Sequence, residues 1–220
     1  LDGLILFLTY PGRVAAELEA LRLRGAAIVT FGRVLPGKDA LVIDYSAGAA
    51  ALTEHLLRLG HRRIGFIHGV ARPALGSDRL FAYRRALRAA GIPFERALIV
   101  PCGPGMPDGV AAAHRLLDVS PRPSAILGVN DLMAICALQA AAERGIAVPQ
   151  QLSVAGFDDI ALAAHVTPPL TTVRAGGDEL GRRAVEMLLD RLNHPDAPAQ
   201  QVNAPVELVV RRSTGPLPAC

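Results

Sequence analysis

The strongest constraint on this chain is an alternation: short β-branched apolar runs are followed, again and again, by longer stretches with helical periodicity. Ile5-Leu6-Phe7-Leu8 reads as a strand, residues 13–24 as a helix closed by Gly25, and Ala27-Ile28-Val29-Thr30-Phe31 as the next strand. Leu41-Val42-Ile43 then leads to a helix over residues 47–59, with Ser46 as N-cap and Gly60 as stop. The pattern continues with strands over residues 63–67, 97–100, 125–129 and 152–157, and with helices over 79–90, 108–118 and 132–144. Thr171-Thr172-Val173, a helix over 179–192 and a strand over 206–210 complete it, and residues 193–205 read as a long exposed loop. Repeated strand–helix alternation demands parallel strands joined by right-handed crossovers. The strands are apolar almost throughout, as they must be when both faces of a sheet are covered. The reading is a doubly wound α/β architecture, with the choice between one sheet and two left to connectivity.

Composition narrows the function. Hydrophobic residues make up 51% of the 220 and charged residues 20%, which excludes a disordered tail or a coiled coil. No apolar run approaches the ~18–20 residues of a membrane span, and the opening residues carry no signal-peptide pattern. Lys38 is the only lysine, and 23 basic against 20 acidic residues leave a net +3, too small a surplus to mark a nucleic-acid surface. Cys102, Cys136 and Cys220 are odd in number and far apart, which argues against a disulfide framework or zinc site and for a reducing cytoplasm.

In open parallel sheets, ligands bind beyond the carboxyl ends of the strands. The polar residues found there are Asp44, the Ser77-Asp78-Arg79 stretch, Asn130-Asp131 and Asp158-Asp159. Carboxylates, an amide and a guanidinium together suit a neutral polyhydroxylated ligand, since Asp accepts from hydroxyls, Arg donates and Asn does both. Each also has a plainer reading. Asp131 and Asp159 precede helical stretches and fit N-caps, Asp44 fits a cap for the helix after it, and Arg79 opens an arginine-rich helix whose face is expected in solvent. Gly103-Pro104-Gly105 misses the phosphate-binding glycine spacing and reads as a turn. There is no nucleophile elbow or Walker motif. His55 and His61 fall off one helical face and do not make a metal site; His61 reads as a connector between helix and strand. No catalytic residue, metal or cofactor is expected.

Several blocks in order resemble the lactose-repressor/galactose-repressor (LacI/GalR) family of transcription regulators. They are Leu59-Gly60-His61-Arg62-Arg63-Ile64-Gly65-Phe66-Ile67; Ser77-Asp78-Arg79 with Tyr83; Asn130-Asp131-Leu132-Met133-Ala134; Leu152-Ser153-Val154-Ala155-Gly156-Phe157-Asp158-Asp159-Ile160; Pro168-Pro169-Leu170-Thr171-Thr172-Val173-Arg174; and Leu208-Val209-Val210-Arg211-Arg212-Ser213-Thr214. The resemblance implies a periplasmic-binding-protein-like core of two Rossmann-type lobes with a small effector in the cleft, working as a cytoplasmic homodimer. It assigns residues 1–44 plus 175–204 to the first lobe and 45–174 plus 205–220 to the second. It implies effector contacts from Arg79 and Asp158, with Asn130, Ser77 and Asp44 as further ligand-binding candidates. Pro104 stands where some relatives stack an aromatic on a planar effector, which favours a sugar or polyol. The family's helix-turn-helix, through which operator DNA is bound, has no counterpart in these residues, nor have the first two strand–helix units of the first lobe. The competing reading on the same core is the solute-binding protein of a sugar transporter; a Rossmann-type enzyme lacks its phosphate fingerprint.

Overall fold

A computed structural model describes residues 2–7, 11–32, 34–70, 77–103 and 105–217. The chain divides into two compact units, residues 1–44 with 175–206 and residues 45–174 with 207–220. The α/β architecture with parallel sheets is the one that forms.

In the first unit, strands β1 (Gly3–Phe7), β2 (Ala27–Phe31) and β3 (Asp39–Ile43) lie side by side in parallel, with β9 (Gln201–Ala204) added beyond β3. Helix α1 (Pro11–Leu23) connects β1 to β2, and α6 (Gly177–Asn193) packs its buried Ala184 and Met187 on Val29 and Leu41. Residues 193–205 are therefore more than a loop: the β9 strand inside them pairs with β3, where cross-strand hydrogen bonds outweigh a weak local β-propensity. A bidentate pair also organises this unit, Arg191 donating through Nε and Nη2 to the Asp39 carboxylate at 2.8 and 2.9 Å.

The second unit is built on β4 (Ile64–Val70), β5 (Ile99–Cys102), β6 (Ala125–Gly128) and β7 (Ser153–Ala155), all parallel, in the spatial order β5-β4-β6-β7. Helices α2 (Tyr45–Arg58) and α3 (Ser77–Ala89) pack together, as do α4 (Met106–Leu117) and α5 (Asp131–Glu143). A short antiparallel ribbon, β8 (Thr172–Arg174) with β10 (Glu207–Val209), is the one departure from parallel pairing among the described strands. Periodicity could not announce it, because three-residue strands are too short to show a period.

The sequence's glycine stops are legible in the backbone. Gly25, Gly60, Gly91 and Gly145 follow α1, α2, α3 and α5 with φ between 65° and 93°, the left-handed conformation that closes a helix most cheaply without a Cβ. Ser46 is not the cap expected of it: α2 already includes Tyr45, and the Ser46 hydroxyl reaches the Asp78 carbonyl at 3.5 Å.

In sheet order, the chain runs from β4 outward to β5, then returns across β4 to β6 and on to β7. The direction of winding reverses between β4 and β6. In open α/β sheets, ligands bind beyond the carboxyl ends of the strands at such a reversal.

Candidate functional site

Three adjacent strands of the second unit deliver polar side chains at this edge. Beyond β4 comes α3, which Ser77 opens and on which Arg79 lies two residues later. Beyond β6 come Val129 and Asn130, and beyond β7 the segment from Gly156 to Ile160. Asp44, exposed, directly follows β3 of the first unit.

Arg79 is the centre of the arrangement, and it is not on a solvated face. Its side chain is 13% exposed, with the guanidinium carbon 4.3 Å from the ring centres of both Tyr45 and Phe157. The two rings stand 5.8 Å apart and tilted. Cation–π attraction to each ring holds the guanidinium without using its N–H donors. One of those donors, Nη2–H, points to Asp158 Oδ1 at 3.3 Å; Nε is buried with no hydrogen-bond partner among the described residues. A buried donor left unpaired costs ~1–3 kcal/mol, so this nitrogen favours an incoming acceptor.

Asp158 sits in a strained turn. Its φ is 112° and that of Asp159 is 51°, a left-handed pair in which neither residue is glycine. The Asp158 side chain is 41% exposed, yet the protein around it removes enough water to push its pKa up to about 6, against the pull of the Arg79 charge. The carboxylate is open on one side and faces a guanidinium on the other.

Asn130 is the N-cap of α5, its Oδ1 accepting from the Met133 N–H at 3.0 Å. Capping consumes the acceptor and leaves the amide N–H₂ for a ligand. The cap expected of Asp131 thus belongs to its neighbour. Asp131 is completely buried, with Oδ1 accepting from Thr172 Oγ1–H at 2.5 Å and Oδ2 from the Ile160 N–H at 2.9 Å. Burial raises its pKa to about 6 in spite of those two donors. Asp159 caps no helix either. Its carboxylate accepts from Arg174 Nε and Arg211 Nη2, each at 2.7 Å; burial alone would raise its pKa, but the two guanidinium hydrogen bonds outweigh that and lower it. The expected turn at Pro104 lies outside the described residues.

The sequence singles out Arg79 and Asp158, which the structure brings within 3.3 Å of each other, but not the two rings that clamp Arg79. Tyr45 and Phe157 each adjoin a residue singled out as polar, and an aromatic next to a strand-end Arg or Asp was the available signal. His68, near the end of β4, was also missed: its Nδ1 is buried without a partner among the described residues, and burial lowers its pKa. The described residues contain no group of three or more His, Cys, Asp or Glu able to hold a metal, and no helix long and apolar enough to cross a membrane.

Comparison with known proteins agrees with the α/β fold. Residues 53–214 match the periplasmic binding protein-like domain. The regulator DegA of Bacillus subtilis is 38% identical over 192 residues, which are 87% of this chain and 56% of DegA. The chain spans between 54% and 63% of the length of the curated relatives it matches. Among solved structures, a LacI family regulator from Enterococcus faecium with bound ribose superposes with a TM-score of 0.90 at 26% identity, covering 99% of this chain and 81% of that one. A LacI family regulatory protein from Chloroflexus aggregans is 33% identical with a TM-score of 0.85, covering 98% and 77%. Built on a periplasmic-binding-protein-like core throughout, the chain belongs to the LacI family of transcriptional regulators.

Proposed function

We propose that these residues form the effector-sensing core of a cytoplasmic, homodimeric transcription regulator, and that the second unit grips a small neutral sugar or polyol through Arg79 and Asp158, aided by Asn130 and Ser77. The observation that carries the reading is the clamped guanidinium: Tyr45 and Phe157 fix Arg79 beside Asp158, while its buried Nε has no acceptor among the described residues. A vicinal diol satisfies both groups at once, one hydroxyl oxygen accepting from Arg79 and its neighbour donating to Asp158. The family relationship supports a regulator over a transporter's solute-binding protein, and ribose in the Enterococcus faecium relative supports a sugar.

Such a core acts by differential affinity. An effector that binds one conformation better shifts the population toward it, and operator affinity changes by that difference and no more. Operator binding itself would come from a helix-turn-helix in the intact protein.

Calorimetry of the intact protein with ribose, cellobiose, polyols and a purine base identifies the class. For the sugar that binds, Asp158→Ala and Arg79→Ala are each expected to weaken binding by about 1.5–3 kcal/mol, roughly 10- to 150-fold. Affinity should also fall as the pH drops below about 6, because the Asp158 carboxylate that accepts from the sugar becomes protonated there. Unchanged affinity in both variants would remove these residues from the site, and tight binding of the purine alone would replace the sugar.

A further inference from the structure

Asp158 holds its φ of 112° only because its surroundings impose it: its own N–H donates to the Val173 carbonyl at 2.9 Å, and further restraints meet at one buried residue. The Asp131 N–H donates to the Phe157 carbonyl at 2.7 Å, one residue before Asp158. The Asp131 carboxylate accepts from the Ile160 N–H at 2.9 Å, two residues after it. A single residue thus holds both ends of the four-residue segment from Phe157 to Ile160. The other carboxylate oxygen takes the Thr172 hydroxyl proton, which turns a lone pair of that hydroxyl toward the Asp159 N–H at 3.4 Å. The fit leaves no slack: a Cβ on Gly156 would lie 2.3 Å from Asp131 Oδ1 and 2.9 Å from its Cα, so only glycine lets the aspartate approach.

We propose that Asp131 is a positioning residue for effector recognition: too deeply buried to touch the effector, it clamps the Phe157–Ile160 turn, through Thr172 as well as directly, so that the Asp158 carboxylate faces Arg79. The proposal rests on the assignment of Asp158 as an effector ligand. Polarity matters here as well as shape. Asparagine at 131 keeps one oxygen for the Ile160 N–H but offers Thr172 an N–H₂ instead of an acceptor. The hydroxyl must then accept where it donated, its proton loses the carboxylate, and the charge-assisted bond that fixes its orientation toward the Asp159 N–H is gone. Valine at 172 removes the same link with almost no change of shape, and serine retains it.

The test combines native-state amide hydrogen exchange with ribose calorimetry on the intact protein. In Asp131→Asn and Thr172→Val, exchange at the amides of residues 158–160 should accelerate tenfold or more relative to the amides of β6, and ribose affinity should fall at least tenfold. Thr172→Ser should restore both. In an Asp158→Ala background, Asp131→Asn should weaken ribose no further, because the carboxylate it positions is gone. Equal acceleration across the turn and β6 would mean general loosening and would overturn the proposal. So would wild-type ribose affinity in Asp131→Asn and Thr172→Val while Asp158→Ala loses binding. Undiminished ribose binding in Asp158→Ala would instead overturn the effector reading itself, and the proposal with it.

Discussion

Replacing Phe157 by alanine is expected to lower the unfolding free energy by roughly 3–5 kcal/mol, the range for deleting a fully buried aromatic ring. Phe157 is 1% exposed, and its ring fills the space a side chain on Gly48 would occupy: a Cβ there would lie 2.8 Å from Phe157 Cζ. Helix α2 has therefore given up a side chain to admit the ring. Residues around the resulting void cannot collapse into it, because Gly48 has nothing to extend and β7 is fixed by its pairing with β6. The same substitution strips one face from the Arg79 clamp, so sugar affinity should fall more than tenfold while the guanidinium is still present. Urea denaturation gives the first quantity and calorimetry the second. Phe157→Leu separates them, since it keeps most of the volume and loses the ring: it should retain most of the stability and still bind sugar poorly. A loss below 1 kcal/mol in Phe157→Ala, with an unchanged m-value, would contradict the packing described for this corner.

Much of this corner was legible before any coordinates, and the part that was not has a physical reason. Arg79, Asn130 and Asp158 could be singled out because strand ends in a parallel sheet share one edge, and the strand order β5-β4-β6-β7 brings three of those ends together. The strand at Ala27–Phe31 emerges with the bounds its apolar run suggests, because such runs are long enough to display their period. What failed were local preferences overridden by distant partners. Asp131 has the local signature of a helix cap, yet the Ile160 amide and the Thr172 hydroxyl, 29 and 41 residues away, draw it into the core. Arg79 has the signature of an exposed helical arginine until two rings from separate elements close on it. Strand β9 contains Gln201 and Asn203, poor β-formers that β3 nevertheless recruits. No single window of sequence carries such information.

His61 shows the same logic and yields the second large effect. The sequence presents it as a connector before β4; in the structure it is 1% exposed and joins four segments. Nε2 lies 3.0 Å from the Gly215 carbonyl and 2.9 Å from Ser153 Oγ, and Nδ1 lies 2.9 Å from Ser124 Oγ. A carbonyl can only accept, so a proton sits on Nε2; burial disfavours a second one on Nδ1, which makes the ring neutral and leaves Nδ1 to accept from the Ser124 hydroxyl. Truncating it to alanine leaves a large void and several buried polar groups short of a partner, an expected cost of roughly 3–5 kcal/mol. The pH dependence has a definite sign. Burial lowers the folded-state pKa below the ordinary 6.5, although the Gly215 carbonyl favours the charged form. The unfolded chain therefore binds the proton more readily, so the stability that His61 supplies is present above pH 6.5 and drains away as the pH falls through that value. His55 and His68 are shifted in the same direction, chiefly by burial, which is common to wild type and variant and cancels in the difference; only the smaller effect of the His61 charge on His55 does not. The stability gap between wild type and His61→Gln, measured by urea denaturation, should be larger at pH 8 than at pH 5. An equal gap at both pH values would mean that folding leaves the imidazole's pKa where it was, and a larger one at pH 5 that the folded protein favours the charged form; either result would overturn the serine–histidine–carbonyl link described here.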